Sequence, residues 1–229
     1  MFEYDSYILG KTPHKLVIFL HGYNGTAATH QYAIDWLKEM LQDAVLIIPH
    51  APEVSDKNPE RRQWFGMLKY DPEDTRSQAA TSVTDILAIY NNASKEIDSC
   101  AAQINLFIDA MQQKYGIDNK HTYLCGFSQG AMLTLYTALT RSADLGGAFV
   151  LSGLTAGADL LQTKITARPP LYVFHGENDL RVQDKTLPST IEWLKKNNIL
   201  PKVQTYKDLE HRINQDEIQK IANTISKGE

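Results

Sequence analysis

The chain has 229 residues, with 23 Lys plus Arg against 27 Asp plus Glu for a net charge of −4, and 43% of it is hydrophobic. That is enough chain to bury a core without staples, too little basic charge for a nucleic-acid groove, and too apolar a composition for disorder. Cys100 and Cys125 are too few for a disulfide framework, and no CxxC pair suggests zinc or redox chemistry. The acid-bearing start Met-Phe-Glu-Tyr-Asp does not read as a signal peptide, and no apolar run is long enough to span a bilayer. The expectation is a cytoplasmic protein, one domain over residues 1–229, without metal or cofactor.

In chain order, residues 16–20 (Leu-Val-Ile-Phe-Leu) read as a buried strand, and 31–42 as a helix with Ile34, Leu37, Met40 and Leu41 on one face. Residues 45–48 form a second strand. The Pro- and charge-rich stretch 49–73 shows no period and reads as a long loop over a functional edge. Helical periodicity follows twice, over 75–91 (Val83, Ile86, Leu87, Tyr90) and 93–115 (Ile104, Phe107, Ile108, Met111), with a break expected at Asn91-Asn92. Only one crossover helix is needed there, so 93–115 is taken as the packed one. The 75–91 helix is then either an addition beside the site, with Ile86 bordering it, or the first part of one long bent helix with no functional role.

Strands at 123–125, 148–151 and 171–174 come next, then a helix over 186–198. Residues 203–206 make a weaker, more polar strand, as near an edge. A last helix starts near Asn214, with Glu217 completing a capping box. Continuous rather than alternating apolar runs mark strands covered on both faces. The fold class is therefore α/β: a mostly parallel twisted sheet with helices on both faces.

The sharpest feature is Gly126-Phe127-Ser128-Gln129-Gly130, between the strand ending at Cys125 and the helical run 131–140. A strand-to-helix turn this tight leaves no room for side chains two residues either side of the serine, and it presents the hydroxyl at the strand's C-terminal end. A serine needs a base. In the chain order Ser, acid, His, only His175 and His211 follow Ser128, and no acid-bearing strand end separates Ser128 from His175. His211, in the last strand-to-helix loop, is the candidate base. The acid is sought in His175-Gly176-Glu177-Asn178-Asp179. Asp179 lies further into that loop than Glu177, with Asp184, Asp208 and Glu210 as fallbacks. Backbone N–H groups of Gln129 and of Tyr23, in the loop His21-Gly22-Tyr23-Asn24-Gly25, are the candidate oxyanion donors. His21 is then a structural residue of that turn.

These blocks, together with Leu151-Ser152-Gly153 and the Trp64-Phe65 pair, resemble the phospholipase/carboxylesterase family, which includes the acyl-protein thioesterases, over about residues 15–225. The resemblance implies a single-domain α/β-hydrolase with no large lid, cleaving esters or thioesters with Ser128 as nucleophile, Asp179 as acid and His211 as base. The chain departs from the family pattern at Glu210, at Gly66, and at Asp179-Leu180 and Val182-Gln183. Expected substrates are small-molecule esters, lysophospholipids or S-acylated proteins, with at most a weak homodimer and no nucleic-acid partner. Trp64, Phe65 and Leu154 either line an acyl groove or belong to the core. Two rivals share the architecture: a dienelactone-hydrolase-like enzyme, which would need a Cys nucleophile, and a non-catalytic binding module.

Overall fold

The computed structural model describes residues 2–227. Its elements, in chain order, are β1 (Tyr4–Leu9), β2 (Lys15–Leu20), α1 (Gln31–Met40), β3 (Ala44–Pro49), the two-residue strands β4 (Glu53–Val54) and β5 (Arg62–Gln63), α2 (Val83–Asn92), α3 (Ser94–Tyr115), β6 (Thr122–Phe127), α4 (Gln129–Leu139), β7 (Gly147–Leu151), α5 (Ala158–Leu161), β8 (Leu171–Gly176), α6 (Leu187–Lys196), β9 (Lys202–Tyr206) and α7 (Gln215–Lys227). Seven strands among the described residues join one sheet in the order β1-β3-β2-β6-β7-β8-β9. All neighbours are parallel except β1, which runs antiparallel to β3.

Period-two alternation along the buried strands sorts side chains to two faces. Leu16, Ile18 and Leu20 pack with α3 and α4 through Ile104, Ile108 and Leu135. Val17 and Phe19 pack on the other face with Ile34 and Leu37 of α1 and Ile218 and Ile221 of α7. Each such side chain, once out of water, contributes about 1.5–3 kcal/mol. With both faces covered, the central strands are continuous apolar runs.

The strand order reverses direction at β2: the chain moves to β3 on one side and returns through α3 to β6 on the other. Such a switch point opens a crevice at the carboxyl ends of the two adjacent strands, β2 and β6.

One strand goes unread in the sequence, and three expectations need correction. The edge strand β1 has no sequence signal, because Asp5, Ser6 and Ile8 are exposed and no apolar run forms. The helix expected over 75–91 is confined to α2, with the Ser82 hydroxyl accepting from the Asp85 N–H at 3.1 Å as its N-cap. Residues 75–77 form a single tight turn instead, held where the Asp71 carboxylate accepts from the Thr75 and Arg76 N–H groups. The break between α2 and α3 falls at Ala93, one residue after the asparagine pair. Ile86 is buried in the core and does not border the crevice; Tyr90, one turn on, does.

Candidate active site

Ser128 sits between β6 and α4 with φ 56° and ψ −117°, a conformation that L-residues avoid. Strain of this kind costs about 1–3 kcal/mol and persists only where the surroundings enforce it. Here the Ser128 N–H donates to Leu151 O at 2.9 Å, and the Met132 N–H donates to Ser128 O at 3.1 Å. The two flanking glycines are steric necessities. A Cβ on Gly126 would lie 2.3 Å from Gly130 O, and one on Gly130 would lie 2.3 Å from Leu20 O and 2.6 Å from His21 O.

His211 comes from the loop between β9 and α7. Its Nε2 lies 3.0 Å from Ser128 Oγ and its Nδ1 lies 2.7 Å from Asp179 Oδ2. Two loops are zipped together to achieve this: Glu177 N–H donates to Tyr206 O, and Asn178 N–H to Leu209 O. Gly176 permits that approach, since a Cβ there would meet Leu209 O at 2.2 Å. Glu210, one of the departures from the family pattern, points its side chain into solvent.

Asp179 is fully buried. Burial alone would raise its pKa, but the hydrogen bond and charge of His211 and the Arg181 N–H outweigh that and hold the carboxyl below its usual range. Its Oδ1 accepts from the Arg181 and Val182 N–H groups at 2.9 and 3.0 Å. Of the other acids considered, Glu177 accepts from the Thr205 hydroxyl at 2.8 Å instead of from His211. His175, also fully buried, lies with Nε2 2.8 Å from Val182 O and 3.8 Å from Asp179 Oδ2; burial lowers its pKa, so it is a neutral brace of the Asp179 loop.

The loop after β2 runs against the serine: a Cβ on Gly22 would lie 3.4 Å from Ser128 Cβ. This brings the Tyr23 segment beside the elbow, opposite Gln129 at the start of α4. His21 is buried, and its Nε2 accepts from the Ala51 N–H at 3.2 Å while Nδ1 bonds Gly22 O at 2.9 Å. Desolvation pushes its pKa down to about 4, as suits a structural imidazole.

Trp64 and Phe65 do not line a groove. Each is 1% exposed or less, and Trp64 Nε1–H donates to His21 O at 2.7 Å. The Gln129 side chain is clamped between them, accepting from the Trp64 N–H at 3.0 Å and donating to Phe65 O at 2.7 Å. Leu154 is likewise core. Their sequence spacing fits either role, and the structure places them in the core.

A cavity of about 300 Å³ opens onto Ser128 and His211. Met67, Tyr90, Met132 and Val182 supply an apolar side, while Lys57, Asp74, Arg76 and Arg181 supply a charged one. The charged residues were not among the sequence candidates. Apart from Arg181, they lie in or just beyond the aperiodic segment, where no local signal distinguishes a wall residue from a solvated one. Arg76 is the outlier, its side chain only 7% exposed and ion-paired with Asp71 at 2.7 Å and Asp74 at 2.9 Å.

The arrangement has a hydroxyl, an imidazole and a carboxylate in hydrogen-bonded series, with backbone N–H groups nearby: the parts for acyl transfer through a serine. Comparison with known proteins agrees in kind. The model of a phospholipase/carboxylesterase family matches residues 9–228. Acyl-protein thioesterase 1 of Saccharomyces cerevisiae is 25% identical over 173 residues, covering 71% of this chain and 69% of the relative. Acyl-protein thioesterase 1 of Gibberella zeae is 30% identical over 178 residues, covering 71% and 68%. The crystal structure of esterase PE8 superposes with a TM-score of 0.78 at 23% identity, covering 99% of this chain and 98% of that one, a likeness of fold.

Proposed function

The chain belongs to the phospholipase/carboxylesterase family, and on that premise we propose that it hydrolyses carboxylic esters or thioesters through Ser128, His211 and Asp179. The observation that carries this reading is the unbroken series Asp179 Oδ2 to His211 Nδ1 at 2.7 Å and His211 Nε2 to Ser128 Oγ at 3.0 Å. Ser128 Oγ attacks the carbonyl carbon while His211 Nε2 takes its proton. Asp179 holds the Nδ1–H tautomer and stabilises the imidazolium without itself accepting the proton. The oxyanion that forms is met by the N–H groups of Tyr23 and Gln129, assisted by the positive end of α4. Collapse expels the alcohol or thiol with the proton from His211, and water, deprotonated by the same imidazole, releases the acid and restores the serine.

The similarity to two acyl-protein thioesterases supports thioesters among the substrates. The cavity, at about 300 Å³, lies at the small end of ligand sites, which span roughly 300–1,000 Å³. That supports a short acyl arm over a palmitoyl chain. A Cys-dependent chemistry lacks support: Cys100 and Cys125 are free and buried, and desolvation raises both thiol pKa values, the opposite of what a nucleophile needs. Both also fit a reducing compartment. No helix among the described residues is long and apolar enough to cross a membrane.

A fluorophosphonate probe should label the protein at Ser128, located by peptide mapping. A chain-length series of p-nitrophenyl esters, run beside a lysophospholipid and a palmitoylated peptide, should show turnover greatest on short acyl groups. No label and no turnover on any of these would refute the hydrolase reading in favour of a binding module.

A further inference from the structure

The charged side of the cavity has no role in the acyl-transfer series. It is also costly: a nearly buried guanidinium, Arg76, faces the same cavity as Ser128. Every carboxylate oxygen of its anionic neighbours already has at least one donor. Asp71 Oδ1 accepts from the Thr75 N–H and hydroxyl, and its Oδ2 accepts from the Arg76 N–H and Nη1. Asp74 Oδ1 meets Arg76 Nη2 and the Ser77 hydroxyl, and its Oδ2 meets Lys57 Nζ at 2.6 Å. Asp56, behind them, accepts from the Tyr23 hydroxyl and from the Met67 and Leu68 N–H groups.

Donors, by contrast, are left over. Lys57 carries three N–H groups and Arg76 five, and their acidic partners take only some of them. The Arg181 guanidinium makes no ion pair among the described residues, yet it lines the cavity beside Val182 and His211. Two of these cations lie beside one residue: Lys57 Nζ is 5.7 Å and Arg76 Cζ 5.9 Å from the centre of the Tyr23 ring. Tyr23 is the residue whose N–H faces the developing oxyanion in the mechanism above. A wall whose carboxylates are each paired and whose cations keep donors to spare favours a ligand that brings acceptors. An alkyl chain pressed against it would strip water from charges and return no hydrogen bond.

We propose that this wall receives a carboxylate carried on a short arm of the substrate, so that the enzyme prefers monoesters of small dicarboxylic acids or esters of small acid-bearing alcohols. The proposal rests on the hydrolase reading and adds Lys57, Arg76 and Arg181 as its specificity determinants.

The test uses isosteric pairs that differ only in charge: monomethyl succinate against methyl 4-methylpentanoate for the acyl arm, and 4-acetoxybenzoate against 4-isopropylphenyl acetate for the alcohol arm. The charged member of at least one pair should show kcat/KM about tenfold higher, the worth of one charge-assisted hydrogen bond. Lys57→Gln and Arg181→Gln should each cut that ratio threefold or more, through KM. Arg76→Gln should cut it further, but it strands the buried Asp71, so the two surface variants decide. Preference for the neutral member in both pairs, or a ratio that neither variant moves, overturns the proposal. Calorimetry of succinate against butyramide with the Ser128→Ala protein separates the two readings. If no ester is turned over, the hydrolase reading fails by itself. Succinate binding that Lys57→Gln weakens then upholds the anion site, and no succinate binding overturns it.

Discussion

Asp179→Asn tests the proposed series at the point where geometry leaves least freedom. In the wild type, one carboxylate oxygen accepts from two backbone N–H groups, of Arg181 at 2.9 Å and Val182 at 3.0 Å, and the other accepts from His211 Nδ1 at 2.7 Å. Asparagine has a single acceptor oxygen and cannot serve both sides. With its oxygen on the backbone pair, its NH₂ faces His211 Nδ1. That nitrogen must then accept, which moves the imidazole proton to Nε2, where it points at Ser128 Oγ instead of receiving from it. Turned the other way, the NH₂ confronts two N–H donors in a fully buried site. The backbone pair holds two bonds against one, so the first orientation wins and the cost falls on catalysis. Tautomer reversal of this kind lowers turnover by on the order of 10⁴, or about 5.5 kcal/mol of transition-state stabilisation. The assay is kcat/KM on p-nitrophenyl butyrate beside a thermal melt, with the His211 tautomer read from its ¹⁵N shifts. A variant keeping more than a tenth of wild-type activity, or an Asp184→Asn variant equally impaired, would refute the assignment.

Ser128→Ala should reduce hydrolysis by about 10⁴- to 10⁶-fold while unfolding within about 1 kcal/mol of the wild type, since alanine adopts the same strained backbone; residual activity of a tenth would place the nucleophile elsewhere. Gly130→Ala drives a Cβ to 2.3 Å from Leu20 O and 2.6 Å from His21 O. It should cost about 1–3 kcal/mol or more and spread the Tyr23 loop from the elbow, so an unchanged melt with full activity would contradict the packing described. Burial raises the Glu217 carboxyl from 4.5 to about 7, and its Oε1 has no partner. A carboxyl raised in the fold binds more protons folded than unfolded, so its contribution declines as pH climbs from about 4.5 to 7 and stays lost above that. Glu217→Gln keeps an oxygen for the Asn214 N–H and should melt higher than the wild type at pH 8, by on the order of 2 kcal/mol, with the gap closing by pH 5. Parallel melting curves across that range would show that Glu217 does not titrate there.

What the sequence determined by itself is what local sterics and periodicity control. Continuous apolar runs at 16–20, 45–48 and 148–151, each too short for a buried helix, sufficed for a sheet covered on both faces. Gly126-Phe127-Ser128-Gln129-Gly130 was legible because the clash that requires its glycines lies within the turn and the strand beside it. Position in the loop already favoured Asp179 over Glu177, but only tertiary structure brings it to His211, because Gly176 lets the β9–α7 loop pass at close range. Tertiary structure also sent Trp64 and Phe65 into the core, through a clamp on Gln129 about 65 residues away. The helix expected at residue 75 gave way to the Asp71–Arg76 turn, where buried ion pairs and backbone bonds outweigh a weak helical period. The same turn set the charged wall beside Ser128. Burial and pairing depend on what the rest of the chain brings alongside, and neither the aperiodic stretch 49–73 nor the helical period after it shows that.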